Sequence, residues 1–163
     1  LLLFLDNIMR KKKNIAMEWI SYNRAYQVLK SCGHKIRHVS TDTNGIHVGA
    51  LNKSDANIVY VMPAHQFPLG IVMPIGRRLE LLKWAAEASD RFIIEDDYDS
   101  EFRYKGKPIP ALYASDRQDK VIYIGTFSKS IAPAIRISYM VLPKGLCHDY
   151  HEYAHKEQTI QQA

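Results

Sequence analysis

Four nearly continuous apolar segments constrain this chain most: "IVYVM" (58–62), "RFIIE" (91–95), "KVIYIGT" (120–126) and "RISYMVL" (136–142). A strand with one wet face alternates apolar and polar residues. These segments do not, so each predicts a strand covered on both sides. Helical periodicity lies between some of them. "PIGRRLELLKWAAEAS" (74–89) predicts a helix with Leu79, Leu82 and Ala86 on one face and Glu80, Lys83 and Glu87 on another. "YNRAYQVLKSC" (22–32) predicts a second helix, with Ala25, Leu29 and Cys32 inward and Gly33 as its stop. "NIAM" (14–17) and "KIRHVS" (35–40) add short strands, "DTNG" (42–45) a turn, and the stretch after Pro143 a last helix. The expected class is α/β: a mostly parallel sheet with helices on both faces.

Composition narrows the function. With 163 residues, 47% of them hydrophobic and 24% charged, the chain can bury a core, and disorder is not expected. The net charge of +5 is mild, and part of it is "RKKK" (10–13). That run has no interleaved aromatics and reads as a solvated helix end, not a nucleic-acid surface. Cys32 and Cys147 have neither metal nor redox spacing, which points to a reducing, cytoplasmic setting. His34, His38, His47 and His148 have no ligand spacing either. No run approaches the roughly 20 apolar residues of a membrane span, and "LLLFLDNIMRKKK" has its apolar part before its basic part, unlike a signal peptide. The chain opens on Leu1 in mid-pattern, so a missing beginning is expected.

In parallel sheets, ligands sit beyond the carboxyl ends of the strands. Three such ends carry "MPAHQFPLG" (62–70), "EDDYD" (95–99) and "GTFSKS" (125–130), which can meet in one crevice. A nucleotide phosphate loop needs glycine directly before its lysine, but Ser128 precedes Lys129, and the acid strand comes first in the chain. A serine hydrolase of the S-x-x-K kind needs serine where Thr126 stands. Pyridoxal 5'-phosphate uses all the parts. It takes a lysine for its aldehyde, an acid for its ring nitrogen, and hydroxyls with an arginine for its phosphate. Lys129 supplies the amine and Asp96 the acid. Thr126, Ser128 and Arg136 serve the phosphate. Tyr98 lies on the same side of an extended segment as Asp96, where it can reach the ring's phenolic oxygen. Asp97, Asp99 and Glu101 read as a solvated loop face.

At these residues the sequence resembles the fold-type I, class I/II aminotransferases. Within them it is most similar to the aminotransferase-like domain of MocR (GabR-type) regulators of the GntR family. "YNRAYQVLKSCGH", "YVMPAHQFPLGIVMPIGRRLELLKWA", "IIEDDYDSEFRYKGKPIPAL" and "VIYIGTFSKSIAPAIRISYMVLP" carry the resemblance over nearly the whole chain. It implies the large, cofactor-binding domain of the aspartate-aminotransferase fold. It also implies a Schiff base on Lys129, Tyr22 stacking on the ring, His65 beside it, and Arg24 meeting the carboxylate of an amino-acid-like substrate or effector. The Phe67–Pro68 bond is a candidate cis peptide. The chain departs from the family where it lacks the upstream Gly/Ser-Gln-Gln phosphate turn, the C-terminal small domain and the N-terminal winged helix, and where "MEWISY" replaces an acid-x-Pro-Gly-Tyr turn. The expectation is therefore a partial large domain over residues 1–163. Its whole protein would be a homodimer, reaching DNA only through the absent N-terminal domain and having no membrane contact. Sensor and transaminase both stay open, as does an inactive fragment.

Overall fold

The computed structural model describes residues 1–9, 11–98, 110–127 and 137–161. In chain order its elements begin with α1 (Leu2–Met9), β1 (Asn14–Glu18), α2 (Asn23–Ser31) and β2 (Lys35–Val39). A small hairpin of β3 (Thr41–Asp42) and β4 (Gly45–Ile46) follows, then α3 (Val48–Asn52), β5 (Ile58–Val61), α4 (Ile75–Ala86) and β6 (Phe92–Asp97). β7 (Val121–Thr126), β8 (Ser138–Val141) and α5 (Lys144–Gln161) complete the described chain. Six strands form one sheet in the order β2-β1-β5-β6-β7-β8. All neighbours are parallel except β8, which runs antiparallel to β7.

Strand alternation sends successive side chains to two separate cores. Ile58, Tyr60, Ile94, Ile122 and Ile124 pack with Leu5 of α1 and Ala25 and Leu29 of α2. Val59, Val61, Ile93 and Val121 pack on the other side with Leu51 of α3 and with Leu81 and Trp84 of α4. Helices cover both faces, as continuous apolar strands require. "RISYMVL" is the exception: β8 is an edge among the described strands and is only partly buried. Gly33 ends α2 at a φ of +83°, a left-handed conformation that favours glycine.

The predicted faces of α4 are corrected by the structure. Leu79 is 53% exposed and Ala86 is exposed, while Arg78, Leu81, Trp84 and Ala85 face the core. The cause is Arg78. Its guanidinium is buried and donates to the carbonyls of Met73 (2.8 Å), Pro63 (2.9 Å) and Pro110. Three carbonyls satisfy a charged fork that hydrophobic patterning would turn to solvent, and they rotate the helix accordingly. No helix among the described residues is long and apolar enough to cross a membrane.

Candidate functional site

A cavity of about 600 Å³ opens at the carboxyl ends of β5, β6 and β7. Met62, Asp96, Tyr98 and Thr126 line it from the strand ends, Tyr22 from the start of α2, and Phe67 from the loop after β5. Leu1 and Leu2 bring the amino end of α1 to its rim. Alternation along β6 explains the floor: Ile94, Asp96 and Tyr98 share one face.

The electrostatic centre is Asp96. Burial pushes its carboxyl upward, and a hydrogen bond from Tyr60 works against that shift. The Tyr60 hydroxyl donates to Asp96 Oδ2. Tyr60 is wholly buried, so burial first, and then the Asp96 charge, hold its phenol far above the ordinary range. Thr126 places its side chain at the cavity wall while its Oγ1 donates to the Ile137 carbonyl at 3.1 Å.

The loop after β5 is anchored by a residue that the sequence reading passed over. Gln66 is buried, and its Nε2 donates to Glu18 Oε2 (2.9 Å) and to the Ile20 carbonyl (2.7 Å). Its Oε1 accepts from the Leu69 N–H at 3.0 Å. These bonds fix Phe67, whose peptide bond to Pro68 is cis. The Tyr22 ring meets Phe67 edge-on, with centroids 6.0 Å apart. His65 stands outside the cavity lining and stacks on Tyr98 at 6.2 Å. Arg24 is exposed on the first turn of α2 and does not line the cavity. Lys129, Ser128 and Arg136 lie outside the described residues, as do Asp99 and Glu101.

The opposite face of β6 holds an acidic pair, Glu95 and Asp97. Asp97, expected on a solvated loop, is buried, and the Tyr123 hydroxyl donates to its Oδ2 at 2.8 Å. The strand continues past Glu95, so alternation turns Asp97 into the core. Glu95 is fully buried and accepts the backbone N–H groups of Leu112 (2.7 Å) and Tyr113 (2.8 Å). Burial raises its carboxyl to about 7 even so. Among the described residues no His, Cys, Asp and Glu group is arranged to hold a metal. The histidines have other work: His34 pairs with Asp6 at 3.0 Å, and His47 caps α3 by accepting the Ala50 N–H.

No family model matches the chain. It is 46% identical over 152 residues to the uncharacterized HTH-type transcriptional regulator YdeL of Bacillus subtilis, covering 93% of this chain and 33% of that protein. It is 37% identical over 134 residues to the probable rhizopine catabolism regulatory protein MocR of Rhizobium meliloti, covering 82% and 27%. The kynurenine aminotransferase of Pyrococcus horikoshii, solved in complex with PMP, superimposes with a TM-score of 0.81 at 31% identity, over 97% of this chain and 42% of that one. This is the fold of the fold-type I aminotransferases. The homologues of the chain are MocR-type HTH regulators together with aminotransferases. The chain spans about a third of the length of the curated relatives it matches. In this fold the described cavity sits at the strand ends, as the parallel topology requires.

Proposed function

We propose that the chain is part of an aminotransferase-like domain that binds pyridoxal 5'-phosphate and senses an amino-acid-like effector within a MocR-type regulator. The observation that carries this reading is the half-buried Asp96 carboxylate on the floor of a cavity of about 600 Å³, with Tyr98 and Thr126 on the same walls. The donor set fits the cofactor. Asp96 Oδ2 is already held by Tyr60, and Oδ1 has no partner among the described residues, which suits a ring N–H. The cofactor, once bound, supplies an electron sink for bonds at an amino acid's α-carbon.

The chain's own residues do the rest. Asp96 holds a proton on the ring nitrogen. Tyr98 offers a hydroxyl to the ring oxygen, and Tyr22 and Phe67 give aromatic walls that exclude water. Thr126 lies on the cavity wall near the amino end of α1, whose N–H groups favour an anion, and the phosphate is assigned to it together with Ser128 and Arg136. Lys129 is the covalent anchor and proton carrier. Arg24 recognises the effector carboxylate and His65 backs Tyr98. The whole protein is a homodimer whose DNA contact belongs to a separate N-terminal domain. The regulator relatives, YdeL among them named HTH-type, support the sensor role.

A second reading, a working transaminase, is favoured by the 34% identity to aromatic-amino-acid aminotransferase 1 of Thermococcus litoralis. Counting keto-acid product per site in the whole protein, against a panel of amino acids, separates the two. Ligand exchange without turnover, accompanied by altered promoter binding, supports the sensor. Many turnovers support the enzyme. The site itself is tested by Asp96→Asn, which should weaken cofactor binding by about 1–3 kcal/mol. Asp97→Asn, on the far face of β6, should leave affinity nearly unchanged in protein that still folds. Equal losses would mean that Asp96 is not the ring's partner.

A further inference from the structure

β5 sends Ile58 and Tyr60 toward the cavity face, and Tyr60 lies behind the lining, with none of its surface exposed. A buried phenol requires a partner. The register supplies one: Tyr60 pairs with Ile94, and Asp96 follows two residues later on the same face of β6. The hydroxyl therefore crosses from β5 to β6 and donates to Asp96 Oδ2, the sole hydrogen bond that Asp96 receives among the described residues.

We propose that Tyr60 is a positioning residue for the cavity's acid: its hydroxyl locks the Asp96 carboxylate in one orientation and keeps it ionised, so that Oδ1 faces a cationic ring nitrogen. The proposal rests on the pyridoxal-phosphate reading. Two effects compete at Asp96. Burial favours the neutral acid, which cannot hold a protonated ring nitrogen by charge. The phenol's hydrogen bond stabilises the carboxylate and so opposes burial. Among the described residues, the other ionisable side chains acting on this pair are Tyr22 at the start of α2, Tyr98 on the cavity wall and Asp97 behind the strand. None of them is a hydrogen-bond partner of Asp96, so among the described residues Tyr60 alone fixes its orientation.

The experiment is a double-mutant cycle on the whole protein, titrated with pyridoxal 5'-phosphate and followed by affinity and by the visible band of the bound cofactor. Tyr60→Phe should weaken binding about tenfold, the scale of one hydrogen bond to a charged group. It should also shift the band toward that of an unprotonated ring. In an Asp96→Asn background, the same change should alter affinity less than about twofold, because Tyr60 acts through the carboxylate. Equal losses in both backgrounds, or no loss in the parent, would overturn the proposal. A parent protein that binds no cofactor would instead overturn the function proposed above, and the positioning role with it. Should Tyr60→Phe not fold, 3-fluorotyrosine at position 60 keeps the size and strengthens the donor. It should move the pH midpoint of the band, and an unmoved midpoint overturns the proposal.

Discussion

At the scale of single residues, β6 sets two neighbouring acids to different tasks by alternation alone. Asp96 faces the cavity, while Glu95 clamps the backbone of Leu112 and Tyr113 inside the other core. Glu95 holds its proton more tightly folded, near 7, than its ordinary value of 4.5, with burial the first cause. Its contribution to stability is therefore complete below pH 4.5 and is lost as pH rises through about 7. His34 opposes this: burial lowers its pKa, so its contribution grows as pH rises toward its ordinary 6.5. Glu95→Gln separates the two. Urea melts at pH 5 and pH 8 should show the parent losing up to about 3 kcal/mol more than the variant across that range. Parallel pH profiles would show that Glu95 titrates as an ordinary carboxylate.

At the scale of elements, α4 shows how one buried cation sets a helix face. Arg78 gathers carbonyls from Pro63 and Met73, the two ends of the loop carrying Gln66 and Phe67, and from Pro110. The same guanidinium therefore orients the helix and closes the loop that walls the cavity. Leu81→Ala should cost about 2–5 kcal/mol in denaturant melts, since Leu81 is fully buried. Leu79→Ala, at a site 53% exposed, should cost less than about 1 kcal/mol. Arg78→Met should cost about 3 kcal/mol or more, because it strands buried carbonyls. The reverse order for Leu79 and Leu81 would restore the face that patterning predicts. β7 shows a second local constraint: a methyl group on Gly125 would collide with the Tyr139 ring, coming within 2.6 Å of its hydroxyl oxygen.

At the scale of the whole molecule, the sheet is a partition between two cores, with its central strands sealed on both sides. Val59, Tyr60, Ile93 and Ile94 have 0% exposure, whereas β8 and much of β2 are partly open. Hydrogen exchange should follow this gradient. The amides of β5 and β6 should exchange only by the largest opening, and those of β8 and β2 by smaller ones. Fast exchange in β6 would mean that the floor of the cavity is not built on the rigid centre of the fold.

The amino-acid sequence by itself determined the six strands of the main sheet, its mostly parallel sense, the covering of the central strands on both faces and the sharing of one side by Asp96 and Tyr98. Those properties follow from local periodicity, which a continuous apolar run or a two-residue spacing already contains. The register of β5 against β6 is not local. It alone brings Tyr60 to Asp96, just as the fold alone brings Gln66 to Glu18 and Arg78 to Pro110. "IVYV" shows a tyrosine inside a buried strand, a sign that some partner must exist, but no local pattern says which one. The inward turn of Arg78 and the burial of Asp97 were likewise decided by tertiary structure. A charged group can enter a core only where distant chain segments supply its hydrogen bonds, and those segments meet only when the sheet has formed.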